Sequence, residues 1–393
     1  MRILWVGTKT PWPPQDGGRL VALLTLEALR AHGHELTIVS PIDPAADLPA
    51  IARCLESVGR AVLVPARPVG LATAALRTAF GATPLTVRRH SQPAVRDEVA
   101  GLLSRETFDV VHAEQPQALA QVSGAGRRRV PVVLRAQNVE SDLWQGASRR
   151  AGLLRPALAR ETRRLAAFEG RAAREAAATV ALTAHDASRL AELAGSAERI
   201  HHVPAPFPSR LPGAPAPLVG APAVLLFGSG GWQPNEEGGR WFLEKVWPRV
   251  RAALPGAVLH LVGATVASSE GVLGHPALPD SREAFAEGAV LVVPVQVASG
   301  VRMKILEAWA RGLAVVSTAV GARGLEATDG RELLLADDPE AFVHALRRLH
   351  GEPTLATALG AAGRERLAAP PAAGSVAARL TAVYTRAVSS GRT

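Results

Sequence analysis

The segment from Val297 to Gly324 and the apolar run just before it constrain the fold most, because an apolar run, a polar loop and a helical pattern follow one another there. Leu291–Val295 is apolar and predicts a buried strand. Ser299 is suited to cap the following helix, and Gly312 is suited to end it. The apolar residues of that helix recur at helical spacing and are Met303, Leu306 and Ala310. Since a second apolar run closes the segment, we expect a strand, a short helix and a parallel strand.

Charged residues lie where this strand passes into the helix. Backbone N–H groups and the helix dipole favour an anion at a helix start, and Arg302 and Lys304 add two positive charges there. Glu307 lies one turn further on, and its carboxylate can accept hydrogen bonds from both hydroxyls of a ribose. The pattern therefore predicts a nucleoside diphosphate site. The alternative is a surface helix on which Lys304 and Glu307 form an ordinary ion pair.

The N-terminal segment has a similar order of elements. Arg2–Val6 predicts a strand, Thr8–Gly18 a loop rich in proline and glycine, and Arg19–Arg30 a helix. The loop does not contain G-x-G-x-x-G, which argues against a nicotinamide or flavin site. Gly17 and Gly18 allow a close approach of the backbone to a ligand, although a plain turn explains them equally well.

Polar residues gather where the later strands of the first half are predicted to end. In open α/β sheets the ligand crevice lies beyond the carboxyl ends of the strands. We therefore expect these side chains to lie near a ligand, although each alone also fits an ordinary loop or cap residue. They are His112, Glu114, Gln137, Asn138, Glu140 and Asp186.

A second strand, glycine turn and helix begin at Ala223, after a proline-rich stretch. The fold class predicted for the chain is α/β, with two doubly wound, Rossmann-like domains. The expected divisions are a first domain at 1–207, a linker at 208–222, a second domain at 223–370 and a C-terminal helix at 371–393 that returns to the first domain.

Composition excludes several classes of protein. The 393 residues are 48% hydrophobic and 20% charged, which is typical of a globular protein. Cys54 is the only cysteine, so an intrachain disulfide or a cysteine metal cluster is excluded. The apolar run near the N-terminus is too short for a signal peptide, and prolines interrupt the uncharged stretch 211–235. We expect a cytoplasmic protein without a membrane-spanning segment.

The stretch from Arg149 to Arg174 is helical in pattern and dense in arginine, with an apolar side. A basic amphipathic helix can lie on an anionic membrane surface. A solvated helix that packs on the sheet explains the same pattern. The net charge of +9 comes almost entirely from arginine and, in an alanine-rich chain, partly reflects base composition. We expect no nucleic-acid partner.

The segment around Glu307 resembles the nucleotide-sugar motif of retaining glycosyltransferases of the GT-B fold, family four. In that motif, seven residues separate two glutamates. Glu307 matches the second glutamate, and Ser299 stands at the position of the first. Gly300, Arg302 and Lys304 form the G-x-R-x-K variant of the motif.

Two further segments carry the resemblance. LRAQNVES is similar to the family's L-R-x-H-N-V-E-S, with Gln137 in place of the histidine that faces the donor sugar. Glutamine can donate and accept hydrogen bonds but cannot become a cation. The start of the second domain is similar to the family's G-S-x-x-W-x-P-N and includes Gly228, Ser229 and Asn235.

The resemblance implies roles for particular residues, and it assigns the acceptor to the first domain and the nucleotide sugar to the second. The catalytic residues would be Arg302, Lys304 and Gln137. The donor-binding residues would be Gly17, Gly18, Gly228, Ser229, Asn235, Ser299, Gly300 and Glu307. The acceptor-side residues would be His112, Glu114, Asn138 and Glu140.

The implied reaction is retaining transfer of a sugar from a nucleotide-diphosphate sugar to a hydroxyl acceptor. That acceptor would be a glycan, a lipid-linked saccharide or a natural product, as in the biosynthesis of cell-surface polysaccharides or glycoconjugates. D-x-D, with which the other large glycosyltransferase fold usually holds a metal, does not occur in the sequence. We therefore expect neither a metal nor a cofactor. The alternatives are a nucleotide-sugar epimerase or glycan phosphorylase of the same architecture, and a binding protein with weakened catalysis.

Overall fold

A computed structural model gives the fold of most of the chain. It describes residues 1–79, 81–122, 130–150, 152–211, 216–227, 233–263, 270–369 and 373–390. Within these ranges the chain forms two separate parallel β-sheets, each with helices on both faces. The predicted α/β class with two doubly wound domains is confirmed.

The first sheet has seven parallel strands in the order β3-β2-β1-β4-β5-β6-β7. Its strands are β1 Arg2–Val6, β2 Glu35–Ile42, β3 Arg60–Pro65, β4 Val110–Glu114, β5 Val132–Ala136, β6 Ala178–Ala181 and β7 Ile200–His202. The central strands are buried on both faces, which explains why they consist almost entirely of apolar residues.

Helices connect the strands of this sheet. They are α1 Gly17–Ala31, α2 Leu48–Glu56, α3 Leu71–Ala79, α4 Leu85–His90, α5 Pro93–Arg105, α6 Glu140–Arg150, α7 Arg155–Glu175 and α8 Ala184–Ala194. The arginine-rich stretch thus forms the end of α6, a short 3-10 turn at Gly152–Leu154, and α7.

The second sheet has six parallel strands in the order β10-β9-β8-β11-β12-β13. Its strands are β8 Ala223–Phe227, β9 Val258–Val262, β10 Val272–His275, β11 Val290–Val293, β12 Val315–Ser317 and β13 Leu334–Leu335. Its helices are α9 Gln233–Trp241, α10 Trp247–Ala253, α11 Met303–Arg311, α12 Ala319–Ala322, α13 Pro339–Gly351 and α14 Pro353–Ala368.

The last helix, α15 (Ala373–Ser390), packs on the first sheet, although the second domain precedes it in the chain. It contacts α1, β4, β5 and β6. Val376, Leu380 and Tyr384 are buried in the same apolar cluster as Ile3 and Trp5 of β1. The C-terminal end of the chain therefore covers one face of the first sheet.

Three local predictions need correction. Helix α1 begins at Gly17, because the Asp16 carboxylate accepts the N–H of Arg19 at 3.0 Å and caps the helix, so Gly17 and Gly18 belong to its first turn. Strand β4 extends to Glu114, so His112 and Glu114 lie within the strand and do not follow its end. Ser299 does not cap α11, which begins at Met303 without a side-chain cap.

Helix α11, which carries the predicted charged residues, packs closely on α14. Gly312 ends α11 with φ of 72°, as the sequence predicted. A Cβ atom at Gly360 of α14 would lie 2.0 Å from the carbonyl oxygen of Gly312, and a Cβ atom at Gly363 would lie 2.3 Å from Trp309 Cδ1. Only glycine at these positions permits this approach, which fixes where α11 lies.

Replacing Gly360 with alanine should therefore destabilise the second domain. Because the new methyl group meets backbone, α11 and α14 must separate, and we expect the free energy of unfolding to fall by about 1–3 kcal/mol. The matched control is Gly351→Ala at the end of α13, where a Cβ atom meets nothing within 4 Å. That change should alter stability by at most about 1 kcal/mol. Equal denaturation midpoints for the two variants would contradict this packing.

Candidate active site

The first turn of α11 lies against the first turn of α1, across the boundary between the two domains. A Cβ atom at Gly17 would lie 3.2 Å from Met303 Cγ. The first residues of the two helices are therefore in contact. Leu20, Val21 and Leu24 of α1 belong to the same apolar cluster as Met303 and Leu306. Two helix N-termini, each favourable for negative charge, are thus brought together.

Lys304 is the predicted cation that lies best for a ligand at this point. Its ammonium donates a hydrogen bond to Asn235 Oδ1 at 3.0 Å and lies 5.7 Å from the centre of the Phe227 ring. Burial lowers the pKa of Lys304 to about 8, although the charge of Glu307 opposes this shift. The structure therefore brings together Lys304 and Asn235, which sequence patterns had assigned separately to the donor.

Glu307 lies one turn beyond Lys304 and is 3% exposed. Its negative charge favours the cationic form of Lys304 and also that of Arg282, which is paired with Asp280 at 2.6 Å. Arg282 is a residue that no sequence motif singled out. The carboxylate is thus held within a positively charged part of the second domain.

Arg302 is placed differently from the prediction that it faces a ligand. Its guanidinium is 4% exposed and donates to the carbonyl oxygens of Ser299, at 2.8 Å, and Gly300. Burial lowers the pKa of Arg302 to about 10, with the charge of Asp186 acting in the opposite direction. Arg302 therefore stabilises the loop before α11 by hydrogen bonds to its carbonyl groups, and its positive charge lies on the buried side of that loop.

The loop that contains Ser299 and Gly300 is bound to the first domain. Ser299 Oγ accepts the N–H of Val139 at 2.6 Å and donates to Asp186 Oδ1 at 2.8 Å. The N–H of Gly300 donates to Asp186 Oδ2 at 2.9 Å. These partners explain why Ser299 does not cap α11: its hydroxyl is used across the domain boundary.

Gln137 connects the first sheet to the start of α1. Its Nε2 atom donates to Gly18 O at 3.0 Å and to Glu114 Oε1 at 2.7 Å, and its Oε1 atom accepts from Gln115 Nε2 at 3.0 Å. A Cβ atom at residue 18 would lie 2.7 Å from Gln137 Oε1, so a larger residue there would displace the Gln137 side chain. Gln115 has φ of 74°, an unusual backbone conformation that sequence patterns did not reveal.

His112 and Glu114 are buried beneath Gln137, so neither lines the cleft between the two domains at the first turns of α1 and α11. His112 is fully buried, stacks on Trp5 with ring centres 3.9 Å apart, and bonds Tyr384 at 2.7 Å and Glu114 at 3.0 Å. Arg135 donates to both oxygens of Glu114 at 3.0–3.1 Å. The expectation that both residues face an acceptor is corrected: they reach the cleft only through Gln137.

The charge states in this cluster follow from its pairing. Burial lowers the pKa of the His112 imidazole, although its hydrogen bond to the Glu114 carboxylate acts against this shift. Burial opposes ionisation of Glu114, but the charge of Arg135 and the bond to His112 outweigh it and hold the pKa of that carboxyl below its usual range. The cluster therefore contains a charged carboxylate–guanidinium pair beneath Gln137.

Asn138 and Glu140 also hold the cleft together. The Asn138 amide donates to Ser299 O at 2.9 Å and to Gln137 O at 3.1 Å, in the orientation that satisfies its oxygen and nitrogen. Glu140 begins α6 and accepts a hydrogen bond from Gln117, while burial raises the pKa of its carboxyl. Of the four acceptor-side candidates, Asn138 contacts the loop before α11, and Glu140 begins the helix two residues further along the chain.

Lys9 and Asp16 lie at the start of α1, and sequence patterns did not single them out. Lys9 Nζ lies 2.8 Å from Asp16 Oδ1, and a Cβ atom at Gly18 would lie 3.4 Å from Lys9 Nζ. The Lys9 ammonium therefore lies beside the first turn of α1 as part of an ion pair with Asp16. Gly228 and Ser229, the remaining donor-binding predictions, lie outside the described residues.

Two features of the described residues bear on other functions. Within those ranges, no three His, Cys, Asp or Glu side chains are grouped so that they could hold a metal ion. In the same part of the chain, no helix is both long and apolar enough to cross a membrane.

Two family models match the chain. One, described as "Glycosyl transferase 4-like domain", matches residues 16–206, and the other, "Glycosyl transferases group 1", matches residues 221–352. The chain belongs to the GT-B glycosyltransferases. No curated protein matches the sequence of this glycosyltransferase.

Solved structures share the fold of this glycosyltransferase over nearly its whole length. Sucrose-phosphate synthase from Thermosynechococcus elongatus has a TM-score of 0.71 at 18% identity, with 99% of this chain and 100% of that chain covered. HepE from Anabaena, in complex with UDP and glucose, has a TM-score of 0.66 at 13% identity, with 98% and 99% covered. WaaG, a glycosyltransferase involved in lipopolysaccharide biosynthesis, has a TM-score of 0.64 at 15% identity, with 98% and 100% covered. The predicted GT-B arrangement is thereby confirmed.

Glu169 provides a test of the electrostatics beside the cleft. Its carboxylate, 1% exposed, accepts the N–H groups of Glu140 and Ser141 at the start of α6. Burial raises the pKa of Glu169 to about 7. Between its unfolded pKa of about 4.3 and about 7, the folded protein binds one more proton than the unfolded chain. The free energy of unfolding should therefore fall as pH rises through this window, by at most about 1.4 kcal/mol per pH unit.

This contribution should be missing from Glu169→Gln, because glutamine does not titrate. Urea unfolding of both proteins between about pH 4.5 and about pH 7.5 measures the difference. The stability of the wild type relative to the variant should decrease across that range and stay constant above it. A constant difference throughout would contradict a raised pKa at Glu169.

Proposed function

We propose that the protein transfers a sugar from a nucleoside diphosphate sugar to a hydroxyl acceptor, with retention of anomeric configuration and without a metal. The observation that carries the proposal is the meeting of the first turns of α1 and α11, with Lys304 and Glu307 on α11. Two similar structures support the donor class, since HepE was solved with UDP and glucose and with UDP-glucose.

The diphosphate of the donor would lie at the two helix N-termini, beside Lys304. As the bond between the sugar and the diphosphate breaks, negative charge develops on the leaving phosphate. Fixed N–H groups, helix dipoles and the Lys304 ammonium stabilise that charge without having to reorganise, and Arg302 adds its charge from behind the loop. Donor binding would then require neither a divalent metal nor a cofactor.

Glu307 would bind the ribose of the nucleotide. It lies one turn after Lys304 on the same helix, and its carboxylate can accept hydrogen bonds from both ribose hydroxyls. Gln137 would contact the donor sugar from the first domain, since it is held at Gly18 beside the same helix starts. Asn138 and Glu140 would line the route of the acceptor.

Glu307→Gln tests this assignment. A neutral amide offers one acceptor oxygen in place of two, and the lost charged hydrogen bond should weaken binding of a nucleoside diphosphate by about 10- to 100-fold. Calorimetric titration of both proteins with UDP and GDP measures the change. Glu244→Gln, an exposed change in the same domain, is the control and should leave affinity unaltered.

Unchanged affinity in the Glu307→Gln variant would contradict the ribose assignment. If the wild type releases nucleotide without an added acceptor and returns an altered sugar, the epimerase alternative is correct. If it binds a nucleotide sugar without turnover in the presence of any acceptor, the protein is a binding protein that retained the fold.

We also propose that the first domain contacts an anionic membrane from the cytoplasmic side, where a lipid-linked acceptor would lie. Leu153 is fully exposed and Leu154 is 66% exposed, in the turn between α6 and α7. Arg155, Arg160 and Arg163 are exposed along the following helix. Exposed leucines with neighbouring arginines are typical of a surface that inserts shallowly between lipid headgroups.

Vesicle co-sedimentation tests this contact. The wild type should bind vesicles that contain phosphatidylglycerol and be released by salt, because each arginine near the surface contributes about 1 kcal/mol. Changing Leu153 and Leu154 to glutamate should abolish binding, whereas Val219→Glu, at an exposed apolar site outside this turn, should not. Equal binding to neutral vesicles, or no binding to anionic ones, would leave α7 as an ordinary solvated helix.

A further inference from the structure

Asp186 is a carboxylate of the first domain that is fully engaged with the second. It is the third residue of α8 and is 1% exposed. Its Oδ1 atom accepts from Ser299 Oγ at 2.8 Å, and its Oδ2 atom accepts from Gly300 N at 2.9 Å and from Thr183 Oγ at 2.6 Å. Both carboxylate oxygens therefore bind the loop that precedes α11.

The same loop is surrounded by the first domain on its other sides. A Cβ atom at Gly146 of α6 would lie 2.4 Å from Val297 Cγ1, and a Cβ atom at Gly300 would lie 2.2 Å from Gln137 O. The loop also receives the guanidinium of Arg302, whose positive charge Asp186 favours. Asp186 is thus the negative centre that balances Arg302 and fixes the conformation of the loop.

Residue 299 occupies the position of the first glutamate in the family motif. A glutamate there would place a second carboxylate against buried Asp186, and two like charges at hydrogen-bond distance disfavour each other strongly. Serine instead donates a proton to Asp186 and accepts one from Val139. The identity of residue 299 and the presence of Asp186 therefore depend on each other.

We propose that Asp186 is a positioning residue for the donor: it holds the Ser299–Gly300 loop, and with it the start of α11. The part of this proposal that concerns the donor rests on the proposed function. Asp186 does not touch the donor itself, since it is buried behind the loop. It keeps the Ser299–Gly300 loop, before the donor binds, in the conformation that can bind the diphosphate.

An exchange of side chains tests the mutual dependence. Ser299→Asp places two carboxylates together and should lower kcat/KM for the donor by about 10- to 100-fold, together with the thermal midpoint. Combining it with Asp186→Ser restores one carboxylate and one hydroxyl, with their positions exchanged. The exchanged protein should recover at least about ten-fold in kcat/KM over Ser299→Asp alone. An exchanged protein no better than the single variant overturns the proposal.

The kinetic pattern of Asp186→Asn separates positioning from simple capping of α8. When the competent loop is only partly populated, apparent affinity falls by that fraction, while bound donor still selects the competent state. The donor KM should therefore rise about ten-fold or more with little change in kcat. The control Asp338→Asn alters the exposed cap of α13, which accepts the N–H of Ala341 at 2.8 Å, and should leave KM unchanged. A lower thermal midpoint for Asp186→Asn with an unchanged donor KM would show that Asp186 only caps α8, and would overturn the proposal.

Amide hydrogen exchange tests the loop itself, whatever reaction the protein catalyses. If Asp186 holds the loop, exchange at residues 297–302 should be at least about ten-fold faster in Asp186→Asn than in the wild type. Unchanged exchange there overturns the proposal. Faster exchange in a protein that neither binds nor turns over any nucleotide sugar would support the contact and contradict only the proposed function.

Discussion

The structure of the candidate site depends on one contact, between the loop before α11 and the first domain. Lys304 and Glu307 belong to the second domain, whereas Gly17, Gly18 and Gln137 belong to the first. Ser299 and Gly300 find hydrogen-bond partners at Val139 and Asp186 in the first domain. Because a buried polar group without a partner costs free energy, this contact favours one placement of the two domains. The geometry of the site and the arrangement of the domains are therefore set together.

A series of hydrogen bonds inside the first domain supports this contact. Tyr384 of the returning helix α15 bonds His112, which bonds Glu114, and Glu114 in turn holds Gln137 at the start of α1. A cation at residue 137 would be drawn to Glu114, whose charge Arg135 already balances. Neutral glutamine fits this environment and can direct both its donor and its acceptor. The C-terminal helix thus takes part in placing a side chain of the cleft.

Local patterns predicted the fold well, because buried parallel strands are continuous apolar runs and α11 ends at a glycine whose role is local. They failed where partners are distant in the chain. His112 and Glu114 looked like residues after a strand, since nothing nearby reveals that Tyr384, 272 positions away, pairs with them. Ser299 fitted a helix cap by composition, but Asp186, 113 positions earlier, binds its hydroxyl.

The charged motif showed the same limit. Arg302 and Lys304 were predicted as equivalent cations because they stand two residues apart. In the structure, Arg302 turns back onto loop carbonyls, whereas Lys304 faces Asn235, 69 positions away. A motif indicates which residue types lie near a ligand, but the packing of the loop decides which of them can reach it.

We propose that the paired helix starts bind a nucleoside diphosphate sugar whose sugar is transferred with retention. The most direct measurement is to incubate the wild type with a panel of nucleotide sugars and hydroxyl acceptors, and to record thermal stabilisation, nucleotide release and the anomeric configuration of the product by NMR. We expect at least one donor to stabilise the protein and to yield a product with the configuration of the donor. An inverted product, or the absence of stabilisation and release with every donor, would contradict the account.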